Sequence, residues 1–583
     1  MEKKKVRVLI IVALFVLFFI FVGAAGIFGG ASSKKAADLY EVFGMKDAQG
    51  RNYDSNQAAI ILNHEIEKED TAYIEDGYYL PLAYVQQKLN ERFYYDKNEA
   101  LLLYTMPDGT KQYTVDDENV KKVDGTVYVK TDLISQYTNV TFETYQNPNR
   151  VLIQNKWGDT ISKAFVKKDT QIRLEGDKKS DITKQCKKGD ELLIVEDGKD
   201  WTKVYSKDGI PGYIKTDCIE NKKEEKQTHS FEEQIYTGIP LDKKVSMAWH
   251  QVTTQEANGN LNQAISAMQG VNIISPTWFA LSDGKGSISS LASRQYVRTA
   301  HNKGLEVWAL INDFSKDSDG TYFVNQVLTY TSKRKVLIEN LITKLKEYDI
   351  DGLNLDFEYI SAENGDDYIQ FVRELSLACH ENGIILSIDN YVSSEWTSHY
   401  NRKEQGVFAD YVVVMGYDEH NTASSEAGSV ASLTFEKKGI EDAISEVGDS
   451  SKIISALPFY TRIWQETAGE KGSKEDGKYI EDAANGDYYL SSKAVGMETA
   501  EKYFTQQNIK GDRVWLEDCG QYYQEGKLND ATTIRIWYED EKSIEEKLKL
   551  IDKYQLGGAA YWKLGFEKND IWKLVKKYLT EEK

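Results

Sequence analysis

From about Lys243 onward, short apolar runs alternate with stretches of helical period. Candidate strands begin near Val245, Val271, Leu305, Gly352, Ile384, Tyr411, Lys452 and Gly558. Between most of them the apolar residues recur three and four apart, as in Tyr368, Phe371, Val372, Leu375 and Cys379, and Asn382-Gly383 ends that helix. Eight such units predict an α/β fold, a (β/α)8 barrel with its chemistry at the C-terminal strand ends. The long interval between the seventh and eighth strands, about 465 to 533, is rich in Tyr and Gly and predicts a small α+β lobe inserted over that face. The fourth strand departs from the apolar rule. In Asp351 to Glu358, DGLNLDFE, the residues Leu353, Leu355 and Phe357 alternate with Gly352, Asn354, Asp356 and Glu358. A strand buried on both faces should be apolar throughout, so a row of carboxylates inside it is costly unless they are paired, hydrogen-bonded or protonated. That cost marks a candidate site.

The first half of the chain has a different texture. Gly77-Tyr78-Tyr79-Leu80-Pro81-Leu82, followed by Tyr84-Val85 and Phe93, reappears as Val127-Tyr128-Val129 followed by Leu133-Ile134 and Phe142. Each unit reads as a strand, a short helix and two strands, which makes 37–157 an internal repeat. The units resemble the small repeats named after the N-terminal domain of copper amine oxidases. His64 is the only histidine there and no cysteine accompanies it, so a metal site is not expected. In 158–221, the runs Leu192-Leu193-Ile194-Val195, Trp201-Thr202-Lys203-Val204 and Gly212-Tyr213-Ile214 are divided by Gly and Asp turns, as in a small β-barrel. This stretch resembles a bacterial SH3 domain, in which Trp201 and Tyr213 either form a recognition surface or fill a small core. A charged linker, 222–242, is expected before the barrel at 243–583.

At the N-terminus, Val8 to Phe28 is an uncharged apolar run preceded by Lys3, Lys4, Lys5 and Arg7. It is long enough to cross a bilayer at about 1.5 Å per residue, with the basic flank on the cytoplasmic side. Residues 1–36 are therefore expected to be a basic tail and a single-pass membrane anchor, the alternative being a cleaved signal peptide. Either reading places all that follows outside the cytoplasm. The 583 residues carry a net charge of −20, with 72 basic against 92 acidic side chains. No basic domain lies beyond the first residues, which argues against a nucleic-acid partner. Four cysteines, none in a C-x-x-C pair, exclude a disulfide scaffold; Cys186 and Cys218 either bridge or remain buried thiols.

The pattern D-G-x-D-x-D-x-E, met at Asp351, Gly352, Asp356 and Glu358, resembles the fourth barrel strand of glycoside hydrolase family 18, the chitinase-like enzymes that cleave beside N-acetylglucosamine. Asn354 departs from it, as in the branch resembling spore-cortex hydrolases. Met415-Gly416-Tyr417-Asp418 resembles the family's M-x-Y-D, and Trp562 matches its tryptophan floor. Leu457-Pro458-Phe459-Tyr460-Thr461-Arg462 and Arg535-Ile536-Trp537-Tyr538-Glu539-Asp540 are similar to the spore-hydrolase branch. The resemblance implies a substrate-assisted retaining mechanism with no second carboxylate as nucleophile. It implies that Glu358 protonates the leaving oxygen and Asp356 orients the attacking acetamido group. Tyr417 would bond the acetamido oxygen, and Trp562 would stack under the sugar. Asn354 is expected to fix Asp356, Asp351 to support the strand end, and Met415, Asp418 and Asn312 to line the site.

A metal or serine mechanism fails on inventory. The barrel histidines, His250, His301, His380, His399 and His420, lack H-E-x-x-H spacing, and no G-x-S-x-G occurs. Asp418-Glu419-His420 are adjacent and should point in different directions. No cofactor is expected. The partner implied is a polysaccharide, peptidoglycan or a chitin-like glycan, held near the membrane by the N-terminal helix. A lectin-like, non-catalytic barrel is the rival reading.

Overall fold

The computed structural model describes residues 32–115, 117–473, 476–482 and 486–579. The expected anchor, Val8 to Phe28, lies outside the described residues. Among those described, no helix is long and apolar enough to cross a membrane. The chain forms two compact units: one runs to Phe93 and resumes over Val115–Glu233, and the other comprises Tyr94–Thr114 and Gln234 onward.

The second unit contains the barrel. Its strands are β1 (Val245–His250), β2 (Ile273–Leu281), β3 (Glu306–Asn312), β4 (Gly352–Asp356), β5 (Ile385–Tyr391), β6 (Tyr411–Met415), β7 (Ile453–Pro458) and β8 (Gly558–Trp562). Each pairs in parallel with its neighbours, and β8 pairs with both β7 and β1, closing the ring. In β4 the alternation sorts as expected. Leu353, Leu355 and Phe357 enter the apolar layer between barrel and helices together with Phe371 and Leu375, while Asn354 turns inward to its partners on β1 and β5 and Asp356 faces the cavity at the barrel's end. Gly352 has a packing reason: a Cβ there would lie 2.6 Å from Cδ1 of Trp308, which belongs to the inner core. The helix Gly365–Glu381 buries Tyr368, Phe371, Val372, Leu375 and Cys379, the predicted stripe.

The lobe between β7 and β8 starts earlier and ends later than expected. Its sheet has six antiparallel strands, from Tyr460–Ala468 to Thr532–Tyr538, and a helix, Met497–Gln506. Ala500 and Phe504 of that helix cover Ile463, Ile534 and Ile536. The strand leaves β7 almost without a break, so the first apolar residues of the lobe look like barrel in the sequence.

Tyr94–Thr114 is also part of this unit. The helix Thr331–Tyr348 has no side-chain cap of its own at Tyr330. Asp96 supplies one: its Oδ2 accepts from Thr331 N at 2.6 Å and Thr331 Oγ1 at 2.7 Å, and Glu99 accepts from Ser332 N at 2.9 Å. Arg334, fully buried, pairs with Glu374 at 3.0 Å and donates to Tyr94 Oη at 3.2 Å. Gln370 Nε2 donates to Thr105 Oγ1 at 3.0 Å.

In the first unit a strand leads into a short helix twice, but the strands that follow the first helix, Phe93–Asp96 and Leu101–Met106, fall almost wholly in the second unit. Tyr78–Pro81 leads into helix Leu82–Lys88, and Thr126–Lys130 leads into Thr131–Tyr137 and then the hairpin Thr141–Tyr145 and Arg150–Gln154. The strands from 160 to 226 form a separate seven-stranded sheet around Ala164, Val166, Ile172, Leu192, Val204 and Ile214. Trp201 and Tyr213 are half-buried and lie outside that cluster, packed beside Gly176. Cys186 and Cys218 are both buried and both free thiols. The charged stretch expected to begin the linker is instead the end of strand Ile219–Lys226, paired with Thr160–Val166. Its charges suit an edge strand, and Glu225 bonds Lys163 at 2.8 Å.

Candidate active site

The C-terminal ends of the barrel strands enclose a cavity of about 480 Å³. Asp356 ends β4, is almost fully buried, and has an Oδ1 without a hydrogen-bond partner. Glu358 lies two residues past the strand, half-buried in the cavity wall. Its backbone is held by Asp313, just beyond β3, which is wholly buried. Asp313 Oδ1 accepts from Glu358 N at 3.0 Å and Oδ2 from Tyr359 N at 2.8 Å. The Glu358 side chain is held separately, its Oε2 accepting from the hydroxyl of Tyr391 at the end of β5.

Asn354 lies one layer deeper. Its Oδ1 accepts from Trp249 Nε1 at 2.8 Å and Ser275 Oγ at 3.3 Å; its Nδ2 donates to Asp389 Oδ1 at 2.8 Å and Ser387 Oγ at 3.1 Å. All four capacities of the amide are used. The expected bond to Asp356 is not made, and Asn354 does not line the cavity. Two residues along a strand is a rise of about 6.6 Å, so an inward side chain at 354 meets β5 and not its successor on β4.

Five carboxyls, Asp356, Glu358, Asp389 and Asp418 in the lining and Asp313 behind Glu358, crowd this end of the barrel, and among the described residues no Lys, Arg or His lines the cavity. Burial is the main cause of every shift here. It pushes Asp313 up to about 7 against its two N–H bonds, and Asp389 up to about 8 against its bond from Asn354. Asp356 is carried well above the carboxylate range by burial and then by the charges of Glu358, Asp389 and Asp313. Glu358 is raised by burial, opposed by the Tyr391 hydrogen bond and helped by Asp418. Like charges this close without a cation share protons instead of ionising together. The arrangement can therefore hold a proton, above the pH at which an ordinary carboxyl loses it, on a group that faces an aromatic cavity.

A model of the glycosyl hydrolases family 18 matches residues 243–567, more than half of the chain. The chain belongs to this family. It is a family 18 glycosidase, 26% identical over 316 residues to the uncharacterized glycosylase YvbX of Bacillus subtilis, a match covering 53% of this chain and 84% of the relative. It is 25% identical over 296 residues to the putative sporulation-specific glycosylase YdhD (49% and 64%) and 25% identical over 255 residues to the cortical fragment-lytic enzyme (42% and 53%), both of Bacillus subtilis. The chain thus spans less than two thirds of the length of these last two.

Of the residues singled out in the sequence of this family 18 glycosidase, Asn312, Asp356, Glu358, Met415, Tyr417, Asp418 and Trp562 all line the one cavity. Tyr417 meets Tyr460 edge-on at 6.2 Å, Trp562 meets Trp249 edge-on at 5.7 Å, and Asp418 accepts from Tyr460 Oη at 2.7 Å. Asp351 is at the opposite end of β4, where Oδ2 accepts from Val307 N and contacts His301 Nε2, both at 2.8 Å; it ties β4 to β3. Asp418, Glu419 and His420 take separate partners: Tyr460, Ser432 and the carbonyl of Ser429. Sequence reasoning missed Asp313, Asp389, Tyr391, Trp249 and Tyr460. For Asp389 a signal was available, since it is a carboxylate within the apolar run Ile385–Tyr391, the same anomaly that singles out β4.

The proton held by Asp389 has a consequence for stability. Below about pH 4 the carboxyl is neutral in both folded and unfolded chains. As the pH rises toward 8 only the unfolded chain ionises, so stability is lost across that interval as pH climbs through the folded value of about 8. Asp389→Asn, with its amide oxygen still accepting from Asn354, is expected to match wild type at pH 4 and exceed it at pH 8 by on the order of a few kcal/mol. Urea melts at the two pH values would show this; an equal difference at both would contradict it.

Proposed function

We propose that this protein is a membrane-anchored, extracytoplasmic glycosidase that cleaves β-linked N-acetylglucosamine glycans, peptidoglycan first among them, by a substrate-assisted retaining mechanism. The observation that carries the reading is the pairing at the end of β4. A raised, cavity-facing carboxyl, Glu358, stands two residues from a buried carboxyl, Asp356, with an unpartnered oxygen. Glu358 donates its proton to the glycosidic oxygen as the bond to the anomeric carbon breaks. The carbonyl oxygen of the substrate's own 2-acetamido group attacks that carbon from the other face, giving an oxazolinium. Asp356 accepts from the acetamido N–H through its unpartnered oxygen, while the Tyr417 hydroxyl steadies the acetamido oxygen. Water then opens the ring with Glu358 as base, and two inversions leave retained configuration. Trp562 and Trp249 give the sugar an apolar floor.

Peptidoglycan is preferred over chitin on three grounds. One relative is a cortical fragment-lytic enzyme. Residues 37–157 and 158–221, read as the copper-amine-oxidase-N-like repeats and the SH3-like module that their sequences resemble, would both suit the cell wall. The basic-flanked apolar run at 8–28 would hold the enzyme at the outer face of the membrane. The test is mass spectrometry of the products after digesting purified peptidoglycan, and separately chitin, with the chain from residue 32. New reducing-end N-acetylglucosamine from peptidoglycan supports the proposal. Products from chitin alone would make it a chitinase, and binding without products from either would make it a lectin.

A further inference from the structure

Resting on the reading of Glu358 as the acid, we infer that Tyr391 is the positioning residue of the proton donor: its hydroxyl fixes which oxygen of Glu358 carries the proton and stabilises the carboxylate left after transfer. The two holds on Glu358 are independent. Asp313 fixes the backbone through the N–H groups of Glu358 and Tyr359, which leaves the side-chain torsions free. Tyr391 fixes those by donating to Oε2. An oxygen already accepting a phenol is a poor seat for a second proton, so the transferable proton is placed on Oε1.

Tyr391 is itself anchored. Its backbone oxygen accepts from Arg402 Nη2 at 3.0 Å, and its ring packs at 6.1 Å from Trp396. Burial and the adjacent Glu358 push its phenol up, so Tyr391 keeps its proton and remains a donor. A hydrogen bond to a carboxylate is stronger than one to a neutral carboxyl. The bond therefore strengthens as Glu358 gives up its proton, and it favours the transition state over the resting complex.

The groups facing Glu358 set the sign of the pH effect. Asp356 at the end of β4, Asp313 beyond β3, Asp389 on β5 and Asp418 beyond β6 all disfavour its charge. The hydroxyls of Tyr359, Tyr400 and Tyr417 also surround it. Against them, the hydrogen bond from Tyr391 favours the charged form of Glu358. Removing its hydroxyl should keep Glu358 protonated to higher pH while slowing the transfer. Mere loosening of the site would slow the reaction without carrying its alkaline limb upward.

The test is Tyr391→Phe in the chain from residue 32, which keeps the ring, with a melting temperature near wild type marking an intact fold. On the glycan, kcat should fall about 10- to 100-fold with KM nearly unchanged, and the alkaline limb of kcat should move to higher pH. On a 4-nitrophenyl glycoside, whose leaving group needs little protonation, the loss should be clearly smaller. Equal losses on the two substrates, or an alkaline limb that stays put or moves down, would overturn the inference. Glu358→Gln run alongside separates the two levels: an inactive Gln variant with an unmoved Phe profile removes this inference alone, whereas a fully active Gln variant removes the acid assignment beneath it.

Discussion

Glu358→Gln is expected to lower kcat on glycan by at least about 10²-fold, with glycan binding retained. Gln has the size and shape of Glu, its amide oxygen can accept from Tyr391 as Oε2 does, and its backbone N–H still reaches Asp313. The variant therefore keeps the geometry and loses only the transferable proton. It also removes one ionisable group from a cluster of five carboxyls with no cation among the described lining residues, so it should fold at least as well as wild type. Because burial raises Glu358, wild-type activity should persist to higher pH than an ordinary glutamate permits and then fall as Glu358 ionises; the variant should show no such limb. Initial rates across pH, with calorimetric binding to soluble glycan fragments, measure both halves. Full activity in the Gln variant would end the acid assignment, and equal binding with no activity in either protein would favour the lectin reading.

The barrel is legible in the sequence because its strands are buried on both faces and so read as short, nearly pure apolar runs. The observed starts lie within about two residues of those predicted. Asp356 and Glu358 are legible for the complementary reason, being charges where the fold forbids them. Asp389 carries the same signal, yet a single Asp in Ile385–Tyr391 has no alternating partner to reinforce it. Asp313 and Tyr391 are harder. Each acts on Glu358 across strands, from 45 and 33 residues away, and an Asp or Tyr beside a strand end has no local feature that names its partner. Asn354 shows the opposite error. Proximity along β4 suggests a bond to Asp356, but adjacent strands are about 4.8 Å apart while the next inward position on the same strand is about 6.6 Å away, so Asp389 is the nearer partner. The cap from Asp96 to the helix at Thr331 spans 235 residues and follows from no pattern at all.

That cap underlies the second large effect. A chain cut to begin at residue 243, where the family match begins, is expected to be several kcal/mol less stable than the chain from residue 32, a large share of the roughly 5–15 kcal/mol of a typical domain. The cut removes Asp96 and Glu99, leaving Thr331 N and Ser332 N at the start of a long helix without side-chain acceptors. It strips Tyr94 from the buried Arg334 and Thr105 from the buried Gln370. It also removes Ile239 and Leu241, which pack on the inner barrel core with Trp308 and Tyr411, and Tyr236, whose ring meets Phe408 at 4.4 Å. Asp96→Ala in the longer chain isolates the first of these losses and should cost about 2 kcal/mol, because a charged acceptor serving two donors in a buried cap is replaced by none. Asp96→Asn, which keeps one acceptor oxygen, should cost less. Urea unfolding of the three proteins and the truncated chain, followed by tryptophan fluorescence, would show the order; a truncated barrel as stable as the longer chain would mean that Tyr94–Thr114 merely rests on the helices. If the order holds, Tyr94–Thr114 is a structural component of the barrel, and activity lost on truncation reports a destabilised barrel before it reports any binding function of the removed residues.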